Sequence, residues 1–270
     1  MNTSPTKTTT PSGAHIVVTP KGRATLHTYV SPEDGLLVTS HIIETEKSLV
    51  IVDAQFVPAF AEEVKSYADT LGKPIRRLFI SHEHPDHFIG AQVFGDVPVY
   101  ATAETIAFIQ TAGQAIIDNY KMGTQAVVPT NIVTTGSEVI DGLTFEYRLM
   151  QNAEADVNLV ILLPEIGTIV AQDIVYNQVY LYVNKKDLRN WRKAVAELKS
   201  LPGYDLVLTG HGLPTTSVVY DEVDAYLVAA ERAFQDNATA QDVKDALLHT
   251  FPNLGGSLLL NLGVDHAFAA

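Results

Sequence analysis

The 270-residue chain contains no cysteine, so neither disulfide bonds nor thiolate ligands are available to it. Any metal site must therefore use imidazole nitrogen and carboxylate oxygen as donors. Basic residues are also scarce, because 18 Lys and Arg stand against 31 Asp and Glu, for a formal net charge of -13. This excess of negative charge argues against nucleic acid or an anionic membrane surface as a partner.

The sequence contains no run of eighteen apolar residues, so we expect no membrane span. Residues 1–14 are polar and rich in Thr and Pro, and we expect a disordered N-terminal tail there. They lack the apolar core of a signal peptide, which favours a cytoplasmic protein; a periplasmic location is consistent with the sequence if a leader has been removed. The hydrophobic fraction of 46% suits a single globular domain over residues 15–270.

Short apolar runs and helical patterns follow one another in both halves of the chain. The pattern predicts strands at 48–52, 75–80, 159–163, 168–170 and 206–208, and helices at 58–71, 102–120, 187–201, 218–234 and 240–249. It therefore predicts an α/β domain in which two sheets pack face to face with helices outside, and in which the C-terminal helices begin near residue 217. We expect the segments at 102–120 and 218–249 to form pocket walls or a contact in a homodimer.

The densest chemistry lies in Ser81-His82-Glu83-His84-Pro85-Asp86-His87, directly after an apolar run. Three of the nine histidines and an aspartate fall within six residues there. Neutral imidazole binds divalent transition metals, and a carboxylate adds negative charge to such a site. The two histidines at 82 and 84 end an extended segment and point to the same side, and the other two candidate ligands follow in a tight turn. A solvated or helix-capping loop is the alternative, but this density of ligands favours a site for two adjacent metal ions.

The pattern His82-x-His84-x-Asp86-His87 after a buried strand resembles the signature loop of the metallo-β-lactamase superfamily of metal-dependent hydrolases. Asp53, Asp173 and His211 follow further strands in the order that this family uses, so the resemblance covers most of residues 15–215. It implies a four-layer αββα sandwich of two mixed sheets with helices on both outer faces. It also implies that Asp53 lies behind the ligands, that Asp173 bridges two ions, and that His211 is the last histidine ligand.

The sequence departs from the family at one ligand. The family has a further histidine before the bridging aspartate, whereas no histidine occurs between Phe88 and Gly210 here. Aligning residues 157–164 with the strand that follows that ligand puts Glu154 in its place. Asn152, Asp156 or an empty position are alternatives, and a lone Glu is more often a solvated loop carboxylate.

The resemblance then implies one ion held by three ligands and a second held by three others, with one shared carboxylate. The first set is His82, His84 and Glu154, the second is Asp86, His87 and His211, and Asp173 bridges them. A carboxylate in place of an imidazole makes the cluster more neutral and a weaker Lewis acid. Zinc is the expected ion, although the added oxygen donor moves the preference toward manganese or iron.

These features predict a metal-dependent hydrolase in which a metal-bridging hydroxide attacks a small ester, lactone, thioester or amide. Asp86 can orient the nucleophile or protonate the leaving group. Tyr176 lies three residues after the bridging aspartate, where quorum-quenching lactonases of the superfamily have a tyrosine at the substrate carbonyl. It can donate a hydrogen bond to an oxyanion or simply pack in the pocket wall, and it favours a lactonase-like or esterase-like enzyme over a β-lactamase or a thioesterase.

Two other functions are consistent with the same residues. One is an iron-binding redox enzyme of the same fold, which an added carboxylate ligand would suit. The other is a metal-poor member that binds a ligand without turnover.

Overall fold

A computed structural model describes residues 4–269 and contains two sheets. The first sheet has eight strands in sequence order: β1 (Thr6–Thr9), β2 (His15–Lys21), β3 (Ala24–Val30), β4 (Thr39–Glu44), β5 (Leu49–Val52), β6 (Ile75–Phe79), β7 (Val99–Ala101) and β8 (Asn131–Ile132). The second contains β9 (Gly136–Ile140), β10 (Leu143–Gln151), β11 (Val157–Leu163), β12 (Thr168–Tyr176) and β13 (Leu206–His211), in the spatial order β13-β12-β11-β10-β9. Both sheets are mixed, because β5 to β8 pair in parallel, as do β12 and β13, while the other neighbours are antiparallel.

Helices cover the outer face of each sheet. They are α1 (Pro58–Thr70), α2 (Pro85–Phe88), α3 (Ala103–Phe108), α4 (Gln114–Tyr120), α5 (Arg189–Lys199), α6 (Val219–Asp236), α7 (Ala240–Thr250) and α8 (Ser257–Ala269). A 3-10 turn at Ile89–Phe94 extends α2, and a π-helical turn at Ile109–Gly113 joins α3 to α4. Apolar residues of α1 to α4 share one core with the first sheet, and those of α5 to α8 share another with the second. The predicted αββα sandwich is therefore confirmed.

The sequence of β5 illustrates why two sheets pack face to face. Its alternate residues Leu49 and Ile51 join the core beneath the helices, whereas Val50 and Val52 join the core between the sheets. Side chains alternate between the two faces of a strand, so a strand that is apolar at every position must be covered on both sides. All four residues are at most 1% exposed, as this argument requires.

The N-terminal segment differs from the disordered tail predicted for residues 1–14. The four exposed residues of β1 pair with β2 in antiparallel register, from Thr6 opposite Val18 to Thr9 opposite His15. β-Branched threonine favours the extended conformation, and the exposed edge of β2 supplies the hydrogen-bond partners. The prediction is therefore wrong for residues 6–9, while residues 1–3 lie outside the described part of the chain.

The C-terminal segment forms α8, although the sequence reveals only a leucine-rich tail. Apolar residues occur on every side of this helix, so its sequence lacks the single stripe by which an amphipathic helix is recognised. Leu260 and Val264 are buried against the second sheet's helices, and Leu258 and Leu262 are left partly exposed. Across residues 4–269, no helix is both long enough and apolar enough to cross a bilayer.

We expect Gly90→Ala to lower the free energy of unfolding, because an added Cβ would lie 2.0 Å from the Ala54 carbonyl oxygen and 2.6 Å from Ala61 Cβ. Overpacking of this kind typically lowers the free energy of unfolding by about 1–3 kcal/mol. Urea denaturation would measure the change. Gly113→Ala is the matched control, because its added Cβ would meet only side-chain atoms, the nearest being Ile109 Cγ2 at 3.0 Å. Equal denaturation midpoints for the two variants would contradict the close approach at Gly90.

Candidate metal centre

The candidate ligands meet at one edge of the sandwich, where parallel strands of both sheets end. In the first sheet, β5 ends before Asp53 and β6 ends before the segment 81–87. In the second sheet, β12 carries Asp173 and β13 ends at His211. The carboxyl ends of parallel strands are where α/β folds commonly place their chemistry, and this geometry brings distant parts of the chain together.

A proline turns the histidine-rich loop back on itself. His84 is extended, with φ -69° and ψ 142°, as expected for a residue that precedes proline. Pro85 then opens α2 at its first helical position, where its fixed φ is favourable and its missing N–H is not needed. As a result the ring of His87 returns to within 4.2 Å of the ring of His82, measured between centroids.

The first group of donors consists of His82, His84, Glu154 and Asp173, one atom of each lying within 4.8 Å of the others. Glu154 Oε1 lies 3.0 Å from His84 Nδ1, and Glu154 Oε2 lies 3.6 Å from His82 Nε2. Asp173 Oδ2 lies 3.7 Å from His82 Nε2. Of the three residues considered for the missing histidine's position, Glu154 is fully buried in this group, whereas Asn152 and Asp156 are exposed.

The second group consists of Asp86, His87 and His211, which also offer donor atoms within 4.8 Å of one another. Asp86 Oδ2 lies 3.5 Å from His87 Nε2 and 3.3 Å from His211 Nε2. Asp173 adjoins this group as well, since its Oδ1 is 3.3 Å from His87 Nε2 and its Oδ2 is 3.3 Å from His211 Nε2. A single carboxylate therefore lies between the two groups.

The spacing of these atoms fits a cation better than direct hydrogen bonds. Nine buried side-chain nitrogen and oxygen atoms in the described chain have no hydrogen-bond partner, and five of them belong to the centre: His82 Nε2, His87 Nε2, His211 Nε2, Glu154 Oε1 and Asp173 Oδ1. Ligands about 2.0–2.1 Å from a tetrahedral ion lie about 3.3–3.4 Å apart, whereas charge-assisted hydrogen bonds are about 2.7–2.9 Å long. Most gaps across the two groups are 3.3 to 3.7 Å. The donor set and its geometry thus fit divalent ions.

Asp53 holds the histidine-rich loop from behind. Its Oδ1 accepts a hydrogen bond from the Ser81 backbone N–H at 2.7 Å, and its Oδ2 accepts one from the Ser81 hydroxyl at 2.6 Å. The same Oδ2 lies 2.7 Å from His87 Nδ1 and also accepts a hydrogen bond from the Gln172 side chain. The His87 proton is therefore fixed on Nδ1, which leaves Nε2 free to face the centre.

Two further contacts orient ligands of the second sheet. His211 Nδ1 lies 2.8 Å from the Leu36 carbonyl oxygen, so its proton is also held away from the centre. The Tyr176 hydroxyl donates to Asp173 Oδ2 at 2.7 Å, and its ring stacks on His211 with centroids 4.4 Å apart. Tyr176 therefore lies at the centre.

Asn158 is a contributor that sequence reasoning missed. Its Nδ2 donates to Glu154 Oε2 at 3.3 Å, and its Oδ1 accepts from the Ala155 backbone N–H at 3.1 Å. Asn158 interrupts the otherwise apolar sequence of β11 and is fully buried. A polar residue within a buried strand needs a partner, and this signal in the sequence could have singled out Asn158, although it does not say which residue Asn158 contacts.

Burial and neighbouring charges shift the pKa values of the centre. Burial lowers the pKa of His82 well below its usual value. Burial also lowers the pKa values of His84 and His211, but the carboxylates of Glu154 and Asp173, respectively, outweigh it and raise each to about 9. Because a metal ligand must be a neutral imidazole, cation binding to these two rings would release protons.

A cavity of about 510 Å³ opens beside the donors. His84, Asp86, Asp173 and Tyr176 line its inner end. Aromatic and aliphatic side chains form much of its outer wall, which includes Phe56, Tyr120, Tyr182, Leu258, Leu262 and His266. The arrangement combines a charged centre with an apolar approach, a combination typical of small-molecule sites.

Comparison with known proteins agrees with this fold. The model of the metallo-beta-lactamase superfamily matches residues 34–152, the part that contains Asp53 and the whole histidine-rich loop. Among characterised proteins, the alkyl/aryl-sulfatase BDS1 of Saccharomyces cerevisiae is 25% identical over 65% of this chain. That match spans about a third of the sulfatase, 34% of its length.

Several solved structures of the same architecture are metallo-β-lactamases. The enzyme from Pontibacter korlensis has a TM-score of 0.56 at 18% identity, over 83% of this chain and 99% of its own. Metallo-beta-lactamase IND-7 has a TM-score of 0.60 at 17% identity, over 79% and 97%. FIM-1 from Pseudomonas aeruginosa, in its mono-zinc form, has a TM-score of 0.56 at 18% identity, over 85% and 97%.

The sandwich is therefore the metallo-β-lactamase fold. The family model that matches residues 34–152 supports the resemblance to the metallo-β-lactamase superfamily that the histidine-rich loop predicted. This fold implies divalent metal binding and supports a metal-dependent hydrolase in general.

We expect Asp53→Ala to weaken metal binding by about 10–100-fold, the usual effect of losing a residue that orients a metal ligand. Without this carboxylate, His87 loses the acceptor at its Nδ1 and can rotate away from the centre. Competition with a chromophoric chelator would measure the affinity. The control is Asp205→Ala, because Asp205 pairs with Lys21 at the surface. Unchanged affinity in Asp53→Ala would contradict the orienting role.

Proposed function

We propose that the chain is a hydrolase with two divalent ions at this centre. His82, His84 and Glu154 would hold one ion, and Asp86, His87 and His211 would hold the other. The observation that carries the proposal is the position of Asp173, whose two carboxylate oxygens adjoin histidine nitrogens of both groups at 3.3 to 3.7 Å. A shared carboxylate is the expected feature of a two-metal site.

When bound, the ions lower the pKa of a water molecule and polarise the oxygen of the substrate. The chain's own groups then orient the reactants. Burial raises the pKa of Asp86, but the neighbouring His87 and His211 outweigh it and lower this pKa below its usual value. Asp86 is therefore ionised beside the cavity, where it can orient the attacking water.

Tyr176 is proposed to stabilise negative charge near Asp173. Burial and the Asp173 carboxylate hold the pKa of Tyr176 well above 10, so that its hydroxyl stays protonated. The residue lines the cavity and already donates to Asp173. A protonated phenol in this position can donate to the oxygen that becomes negative during acyl transfer.

Zinc is the proposed ion. Four histidines supply nitrogen donors, which suit zinc, and Glu154 adds an oxygen donor that suits manganese and iron as well. Iron with oxygen chemistry would give the purified protein a visible absorption band, whereas zinc would leave it colourless.

Hydrolysis of sulfate esters is a second candidate function. It is favoured by the similarity to the yeast alkyl/aryl-sulfatase and is consistent with the apolar outer wall of the cavity. Octanoyl esters, a lactone and octyl sulfate would separate the candidates, because they share an apolar chain and differ in the reacting group. Cleavage of the ester and the lactone is expected. Cleavage of octyl sulfate without cleavage of the ester or the lactone would favour a sulfatase over an esterase or lactonase.

Elemental analysis of Glu154 variants tests the ligand set. We expect two ions per chain in the wild type, about one in Glu154→Ala, and two again in Glu154→His, since histidine also supplies a donor. In Glu154→Ala, kcat/KM should fall by about a hundredfold or more, which corresponds to about 3 kcal/mol of lost transition-state stabilisation.

Glu62→Ala is the matched control for this experiment, because Glu62 is an exposed carboxylate on α1, away from the centre. It should keep both ions and full activity. Full metal content in Glu154→Ala would show that Glu154 is not a ligand.

A further inference from the structure

Helix α8 forms one side of the cavity with a row of three residues. Leu258, Leu262 and His266 recur every four positions, so they lie on one face of the helix, and all three line the cavity. Leu258 is 48% exposed and Leu262 is 40% exposed, although the opposite side of the helix is buried. Two large aliphatic side chains are thus left uncovered at the mouth of the metal centre.

The position of this row is fixed. A Cβ added at Gly263 would lie 2.7 Å from the Val183 backbone nitrogen, so only glycine allows α8 to pack this closely. One turn further on, His266 Nδ1 lies 2.9 Å from the Tyr182 hydroxyl. Tyr182 in turn contacts the metal-centre residue His84, with ring centroids 5.2 Å apart. The helix is therefore held in a defined position relative to the centre.

The wall of the cavity also includes two aromatic rings. Phe56 and Tyr120 pack edge to face with centroids 5.1 Å apart, and both line the cavity. Tyr120 is 43% exposed. With the leucines of α8, these rings provide an apolar lining that leads to the donors.

No Lys or Arg occurs among the described residues that line the cavity. Its two carboxylates, Asp86 and Asp173, belong to the proposed metal centre. His266 is the imidazole of the outer wall, and its Nδ1 adjoins the Tyr182 hydroxyl. A negatively charged group at the outer end of a substrate would therefore lose water without pairing with a Lys or Arg, which is unfavourable.

We propose that the apolar lining formed by Phe56, Tyr120, Leu258 and Leu262 binds an uncharged alkyl or aryl group of the substrate and discriminates against a negatively charged group there. The proposal rests on the proposed hydrolase function, because it assigns the reacting group of the same substrate to the metal centre. It makes α8 the element that selects substrates.

Binding of hydroxamates to the zinc-loaded full-length protein tests this assignment without turnover. The hydroxamate group binds the metal, and the tail is varied. Octanohydroxamate should bind at least about tenfold more tightly than acetohydroxamate, because even two buried methylene groups contribute this much. Suberic acid monohydroxamate carries a carboxylate in place of the terminal methyl group and should bind at least about tenfold more weakly than octanohydroxamate. Calorimetry would give the three affinities.

A charge substitution provides the sharper test. Leu262→Arg should lower the preference for octanohydroxamate over the suberic derivative by at least about tenfold, because the new cation pairs with the tail carboxylate. Leu248→Arg is the matched control, since Leu248 is 39% exposed on α7 and does not line the cavity. It should leave the preference unchanged, and thermal unfolding would check that both variants are folded.

The outcomes separate this proposal from the proposed function. Binding that is absent or independent of the tail, or equal in the two arginine variants, would overturn the role of α8. Tail-dependent binding without hydrolysis of any ester, lactone or sulfate would support the role of α8 and contradict the hydrolase.

Discussion

The buried carboxylate of Asp53 is the constraint on which the rest of the centre depends. It is fully buried, and its backbone adopts a left-handed φ of 65°, which is unfavourable for a residue other than glycine. The surrounding contacts must outweigh this cost. Asp53 accepts hydrogen bonds from Ser81 and Gln172 and adjoins His87, which come from the first sheet's loop and from β12 of the second sheet. The same carboxylate thus aligns a candidate ligand and joins the two sheets.

The sequence predicted the fold, and it proposed candidate ligands where a strand is followed by a polar residue. Asp53, Asp173 and His211 were proposed in this way, and they lie directly after β5, within β12 and at the end of β13. Features that depend on pairing between distant segments were not predictable. The edge strand β1 depends on the free edge of β2, and the role of Asn158 depends on the position of Glu154. Helix α8 was missed because its apolar residues follow no single periodicity.

Different parts of the chain carry the proposed chemistry and the proposed selectivity. The donors lie on β12, β13 and α2 and in the short connections that follow β6 and β10. The outer wall of the cavity is drawn largely from helices and connecting segments that contribute no ligand. A fold can therefore keep one metal centre while changes in a terminal helix alter its substrates. The proposed exchange of histidine for Glu154 would change the charge of the centre itself, and buried Asn158 donates a hydrogen bond to this carboxylate.

The centre has a mechanical consequence in a chain without cysteine. Its donors come from residues 82 to 87, 154, 173 and 211, so one or two ions would tie together segments separated by up to about 130 residues. Closing such long loops removes conformational freedom from the unfolded chain, as a disulfide bond would. Metal supply would then govern the lifetime of the folded protein as well as its chemistry. The metal centre would serve this chain as a reversible cross-link between its two sheets.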